Sequence, residues 1–146
     1  MSIWHQPPDL ETINGWSANT MMQTLGIRIT AFGDDWLAGT MPVDARTHQP
    51  YGLLHGGASV ALAETLGSTA AMLTLDPAQS LTVGLDINAN HIRGVRSGVV
   101  TGTARALHIG RSTQVWEIRI EDAAGALVCI SRLTMAVIAA RHASGA

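Results

Sequence analysis

Residues 56–75 form the longest uniform stretch in the chain: every position is apolar, glycine or hydroxylic except Glu64. The pattern predicts a single helix of roughly 30 Å, at 1.5 Å per residue. A helix that is apolar on all sides is expected to be buried on all sides. A carboxylate midway along such a rod is costly to desolvate, so Glu64 needs either a structural arginine partner or a chemical task. The stretch is long enough for a membrane span. A central glutamate is expensive in lipid, however, and no Lys or Arg anchors flank the segment, so no membrane span is expected.

Shorter patterns surround it. Asp9 is placed to cap a helix reaching about Trp16, with Glu11 in its first turn. Asn19 or Thr20 opens a second helix, from Met21 to Leu25, that stops at Gly26. Residues 27–30 alternate as a strand, 33–35 turn, and 36–43 form a second strand. A polar loop over 44–54 then leads into His55. Asp76-Pro77 breaks the central helix. Four further strands are predicted over 81–93, 99–108, 113–121 and 126–138. In the third of them Val115, Glu117 and Arg119 alternate with Trp116, Ile118 and Ile120. Strands of this length, at about 3.3 Å per residue, match the helix, and one sheet must curl around it to bury it. The expectation is an α+β fold, a curled antiparallel sheet wrapped around one long central helix. It forms a single domain over 1–146, with 1–8 and 141–146 loose.

Composition narrows the functional classes. With 146 residues, 47% of them hydrophobic, the chain can bury one sizeable core. A formal net charge of −2 suggests neither nucleic acid nor a membrane surface as partner. The cations are uneven: residues 1–90 hold two Arg and eight acids, residues 91–146 hold seven Arg and three acids, and Lys is absent. An anionic ligand must therefore be met by Arg, His or backbone N–H groups, mostly beyond residue 90. Cys129 is the one cysteine, which excludes an internal disulfide. With no signal-peptide pattern at the N-terminus, a cytoplasmic location is expected. The His residues are scattered without zinc spacing and no glycine-rich nucleotide fingerprint occurs, so neither metal nor cofactor is expected.

Several short motifs act as a set. Met41-Pro42-Val43-Asp44, Gln49-Pro50, Leu54-His55-Gly56-Gly57-Ala58-Ser59, Ala63-Glu64, Ile87-Asn88-Ala89-Asn90-His91, and Leu107-His108 with Gln114-Val115-Trp116 resemble the hotdog-fold acyl-CoA thioesterases. The resemblance runs from about residue 21 to 138. It is strongest to the bacterial branch that hydrolyses aromatic acyl thioesters. That branch includes the 1,4-dihydroxy-2-naphthoyl-CoA thioesterases of menaquinone synthesis and the proofreading thioesterases of enterobactin synthesis. The resemblance implies an acyl-CoA substrate, or an acylated carrier protein, and Glu64 as base or nucleophile. It also implies that His55 and Gln49 orient the thioester and the attacking group. Active sites are expected to be shared within a homodimer or a dimer of dimers.

Thioester hydrolysis needs an attacking group, a donor to the developing oxyanion and a grip on the carrier. Gly56 and Gly57 open a helix, where N–H groups lack intrahelical partners and the macrodipole is positive. Glycine also lets a carbonyl come close to the backbone, and such donors typically contribute about 3 kcal/mol to a barrier. A tight turn alone is the other use of these glycines. Ser68, four residues after Glu64, shares its helix face and can hold the carboxylate or a water. Gly56 and Glu64 lie roughly 12 Å apart along the helix, so one helix does not bring both to one carbonyl, whereas two antiparallel helices across a dimer axis would.

For the carrier, His91, Arg93, Arg111 and Ser112 are candidates for CoA phosphates, with Asn90 beside them in the family motif. Gly110-Arg111-Ser112 departs from the Ser-Arg order often seen in that family. Met21, Met22 and Leu25, with the small residues Ala61, Gly67, Ser68 and Ala71, are expected to form a slot for a planar acyl group. Two other readings remain open. A hydratase or dehydratase of acyl thioesters would show a fuller His and acid pattern. A non-catalytic acyl-CoA sensor would dispense with Glu64 or carry a DNA-binding extension.

Overall fold

The computed structural model describes residues 1–141. In chain order the elements are α1 (Leu10–Gly15), α2 (Met21–Leu25), β1 (Arg28–Phe32), β2 (Trp36–Pro42), α3 (Gly56–Leu73), β3 (Ser80–His91), β4 (Val99–Ile109), β5 (Thr113–Glu121) and β6 (Leu127–Ala139). The strands make one six-stranded sheet in the order β1-β2-β4-β5-β6-β3, antiparallel at every pairing. Helix α3 touches β2, β3, β4, β5 and β6, so the sheet wraps it as its pattern predicts.

Side-chain alternation sets which face turns inward. On β5, Gln114, Trp116, Ile118 and Ile120 are fully buried. Trp116 pairs with Leu133 on β6 and Ile120 with Cys129. These residues close on Leu62, Ala63, Leu66, Ala70 and Ala71 of α3. Leu66 fits a socket that glycines leave open. A methyl group added at Gly102 would lie 2.5 Å from Leu66 Cδ1, and one at Gly39 would lie 2.9 Å from Leu66 Cδ2.

The structure corrects three expectations. Helix α3 is not buried on all sides. Ala58, Ser59, Leu62, Ala63, Leu66, Gly67, Ala70 and Ala71 are buried, whereas Val60, Ala61, Glu64 and Ser68 are half-buried and Met72 is exposed. One curled sheet covers one side of a helix, and the small residues of the other side stay partly open. The helix also stops at Leu73. Thr74 Oγ1 turns back to donate to Ala71 O (2.8 Å) and accepts from Gln114 Nε2 (2.9 Å), while Trp116 Nε1 donates to Gln114 Oε1 (3.0 Å). A buried amide from the sheet thus ends the helix.

Within residues 1–8, Ile3, Trp4, His5 and Pro8 are anchored rather than loose. Trp4 is buried and its Nε1 donates to Gly33 O at 2.7 Å, His5 N donates to Leu73 O at 2.9 Å, and Pro8 is buried. At the other terminus Arg141 is exposed, and residues 142–146 lie outside the described ones. Strand β3, at one edge of the sheet, leaves Leu81, Val83 and Leu85 exposed at 39%, 42% and 62%. Among the described residues no helix is long and apolar enough to cross a membrane.

Leu66→Ala empties the glycine socket and should cost about 3 kcal/mol, read as a fall in the denaturant midpoint at fixed protein concentration. A cost below about 1 kcal/mol would mean that the socket collapses around the smaller side chain.

Candidate active site

The loop that delivers the chain to α3 is tied down both within itself and to residues 95–96. Asp44 accepts from Arg46 N (3.0 Å), Nε (3.1 Å) and Nη2 (2.7 Å). The side-chain hydrogen bonds from Arg46 push its carboxyl pKa down to about 2. Thr47 Oγ1 donates to Pro42 O at 2.8 Å, and His48 Nε2 donates to Arg96 O at 2.8 Å. His55 N donates to Thr47 O and Leu54 N to Val95 O, both at 2.7 Å. Gln49 sits within this frame. Its N–H donates to Leu53 O at 2.8 Å, and its Oε1 accepts from Tyr51 N.

At the start of α3, His55 is the N-cap, and its Nδ1 accepts from Gly57 N at 2.7 Å. An accepting Nδ1 puts the proton of the neutral ring on Nε2, which has no partner among the described hydrogen bonds. The cap changes the expected division of labour between the two glycines. The Gly57 N–H is already satisfied, while the Gly56 N–H has no partner among the described hydrogen bonds. His91 packs directly on Gly56, since a methyl group added there would lie 2.8 Å from His91 Nε2 and 3.0 Å from Cε1. Gln49, Gly56, His91 and Arg93 line one cavity of about 310 Å³, walled by Leu53 and Val128. The arrangement offers an anion or a polarised carbonyl one free N–H at a positive helix terminus, an imidazole and a guanidinium.

Glu64 lies two turns further along α3, half-buried where the helix borders the β3 edge of the sheet. Ser68 Oγ donates to Glu64 Oε1 at 3.1 Å and also approaches Met135 Sδ at 3.8 Å. No arginine pairs with this carboxylate among the described ion pairs. Strand β3 makes room for it: a methyl group added at Gly84 would lie 2.8 Å from Glu64 Oε1, and the register of β3 against β6 shifts between Gly84 and Asp86. Sequence reasoning missed Gly84. A glycine inside a strand pattern is the available signal, because it often marks a bulge or a close approach.

The remaining expected site residues do not converge in one chain. His91 faces the helix, so Asn90, its neighbour on an extended strand, faces the other side of the sheet. Arg111 and Ser112 lie in the β4–β5 turn, where Val137 N donates to Ser112 O at 2.9 Å. The adjoining Thr113 pairs with Ala136, as does Val83 on β3. Val83 and His91 are about 26 Å apart along β3, so this turn and the His91–Arg93 cavity lie at opposite ends of the sheet.

Helix α2 packs at the β1 edge. Met22 and Leu25 lie against the core and Met21 is 62% exposed. The cavity there is walled by Gln23, Gly26, Arg28, Thr40 and Arg46, with no residue from α3. These three side chains therefore do not line the stripe that carries Glu64. The αL turn at Gly26 and the bond from Ile27 N to Met22 O (2.9 Å) hold α2 back on β1. Cys129 is buried, and desolvation raises its thiol pKa, as suits a core side chain. Among the described residues no three His, Cys, Asp or Glu side chains gather as a metal site.

One long helix wrapped by a six-stranded antiparallel sheet is the hotdog fold. The thioesterase superfamily profile matches residues 51–129, and the chain belongs to that superfamily: it is a thioester hydrolase. It is 53% identical over 136 residues to the proofreading thioesterase EntH of Cronobacter sakazakii, across 93% of this chain and 98% of the relative. It is 51% identical over 136 residues to the 1,4-dihydroxy-2-naphthoyl-CoA hydrolase of Escherichia coli, across 93% and 99%. A crystal structure of a mutant thioesterase from Pseudomonas aeruginosa superimposes with a TM-score of 0.94 at 56% identity, covering 95% of this chain and all of the other.

Gly84→Ala tests the room made for the carboxylate. The flexible end of Glu64 has to move, so the fold should survive while thioester turnover drops about tenfold. Circular dichroism and kcat on any accepted thioester report the two effects separately.

Proposed function

We propose that this thioesterase hydrolyses aromatic acyl-CoA thioesters of the hydroxybenzoyl or dihydroxynaphthoyl type to the free acid and CoA. Glu64 acts as base or nucleophile, and the Gly56 N–H polarises the thioester carbonyl. The observation that carries this reading is the placement of Glu64. It is the one acid on α3, bonded by Ser68 and free of an arginine partner among the described ion pairs, half-buried against Gly84 of the edge strand β3.

In this reading Ser68 holds Oε1 and leaves Oε2 to react. Either Oε2 takes a proton from a water that adds to the carbonyl carbon, or it adds itself and water opens the resulting anhydride. The oxyanion forms against the Gly56 N–H, and the CoA thiolate departs and takes up a proton. His55 Nε2 and Gln49 orient the thioester, and His91 and Arg93 meet the carrier. The aromatic preference rests on the two relatives. One is named for 1,4-dihydroxy-2-naphthoyl-CoA, the other for proofreading.

Gly56 and Glu64, about 12 Å apart on one helix, come to one carbonyl if two chains pair with antiparallel α3 helices. The exposed apolar edge of β3 supports that pairing, because a long unpaired edge strand is a template for another strand. The enzyme is then a homodimer or a dimer of dimers of single hotdog domains, with each site shared.

A hydrolysis panel read with a thiol reagent should give higher kcat/KM for benzoyl- and naphthoyl-type CoA than for palmitoyl-CoA, with an acylated aryl carrier protein as a further substrate. Palmitoyl-CoA as the best substrate would overturn the aromatic assignment. Glu64→Gln should lower kcat at least about 10³-fold, with the fold retained. A shared site also predicts complementation. Glu64→Ala subunits mixed with Gly56→Pro subunits, which lose the N–H and displace the His91 ring, should regain activity. No recovery despite proven subunit exchange would confine each site to one chain.

A further inference from the structure

The cavity at Gly56 has one wall with Gln49, Leu53 and Leu54 and another with His91, Arg93 and Gly94. Most of both walls is loop, since β2 ends at Pro42, α3 starts at Gly56, β3 ends at His91 and β4 starts at Val99. Gln49 itself sits in a turn that closes on itself. Its N–H donates to Leu53 O (2.8 Å), its carbonyl accepts from Gly52 N (2.9 Å), and its Oε1 accepts from Tyr51 N. Only the oxygen of an amide can meet an N–H, so the oxygen is taken. Nε2 has no partner among the described hydrogen bonds. None of these bonds reaches beyond Leu53, so the aim of the amide depends on what holds the turn as a unit.

Three hydrogen bonds tie the turn to chain outside its own loop, and all three go to residues 95–96. His48 Nε2 donates to Arg96 O at 2.8 Å, Leu54 N donates to Val95 O at 2.7 Å, and Arg96 Nη1 donates to Tyr51 O at 3.4 Å. Arg96 therefore serves twice. Its carbonyl holds the residue before Gln49, and its guanidinium holds the middle of the turn. Leu53 packs on Gly94, where an added methyl group would lie 3.3 Å from Leu53 Cδ2.

We infer that His48 and Arg96 are positioning residues for thioester hydrolysis. They latch the Gln49 turn to the segment that follows His91 and Arg93, and they act on the reaction through Gln49. This rests on the reading in which Gln49 orients the thioester and the attacking group. A displacement of about 1 Å at such a group is enough to cost about 10²-fold in rate. Exposed hydrogen bonds add little to stability, so losing the latch should slow turnover far more than it weakens the fold.

The test is a double-substitution cycle with the best acyl-CoA of the hydrolysis panel. His48→Leu and Arg96→Met each remove one donor. Each should lower kcat about tenfold, with KM within about twofold and the thermal midpoint unchanged. His48→Gln, which returns a donor of similar reach, should restore most of kcat. In a Gln49→Ala background neither substitution should cost anything further, because residues that act through one another are not additive. Circular dichroism checks folding, and Arg96→Met, at an exposed residue, carries the cycle should His48→Leu unfold. Losses that add fully to that of Gln49→Ala, or wild-type kcat in both single variants beside a slow Gln49→Ala, overturn the latch alone. Wild-type kcat in Gln49→Ala overturns the role of Gln49 as well.

Discussion

Everything in this molecule depends on how closely one sheet can approach one helix. Leu66 reaches between Gly39 and Gly102 because neither carries a side chain, and Ala63, Ala70 and Ala71 keep the rest of the contact shallow. Close approach lets five of the six strands reach a single helix. It also means that only one side of α3 is enclosed. The stripe through Glu64 and Ser68, bordered by Gly84 of β3 and Met135 of β6, stays only half-buried, so a carboxylate there escapes full desolvation.

The start of α3 divides labour between adjacent glycines. An unpaired N–H at a helix N-terminus is normally satisfied by a cap, and His55 does this for Gly57 alone. The Gly56 N–H has no partner among the described hydrogen bonds, and Gly56 lines the cavity with the His91 ring laid against it. A side chain at 56 would push that ring away, so the glycine serves packing as well as access. The loop before it owes its shape to short-range bonds among Asp44, Arg46 and Thr47 and to bonds with residues 95–96, which hold Gln49 at the same cavity without a long-range partner of its own.

Much of this was legible in the chain. The apolar run with one acid defined the central helix, and alternation defined the strands. The breaks at Gly26 and Asp76-Pro77 placed their ends to within a few residues. The four-residue spacing of Glu64 and Ser68 correctly put both on one face, because i and i+4 neighbours meet on any α-helix. These are local properties, set by a period of 3.6 or 2 and by nearest neighbours along the chain.

Only the tertiary structure decided what came together across the sheet. Composition made α3 look buried all round, yet burial depends on which side the sheet covers, and the apolar character of a small residue is the same on either side. Met21, Met22 and Leu25 had the right chemistry for an acyl slot, but the turn at Gly26 carried them to β1. Arg93 and Arg111 looked equivalent as cations until the pairing of β6 with β3 and β5 set their ends of the sheet apart. Gly84 gained its meaning only when Glu64 stood opposite it. Sequence spacing determines which residues share an element, while register and curvature determine which elements share a site.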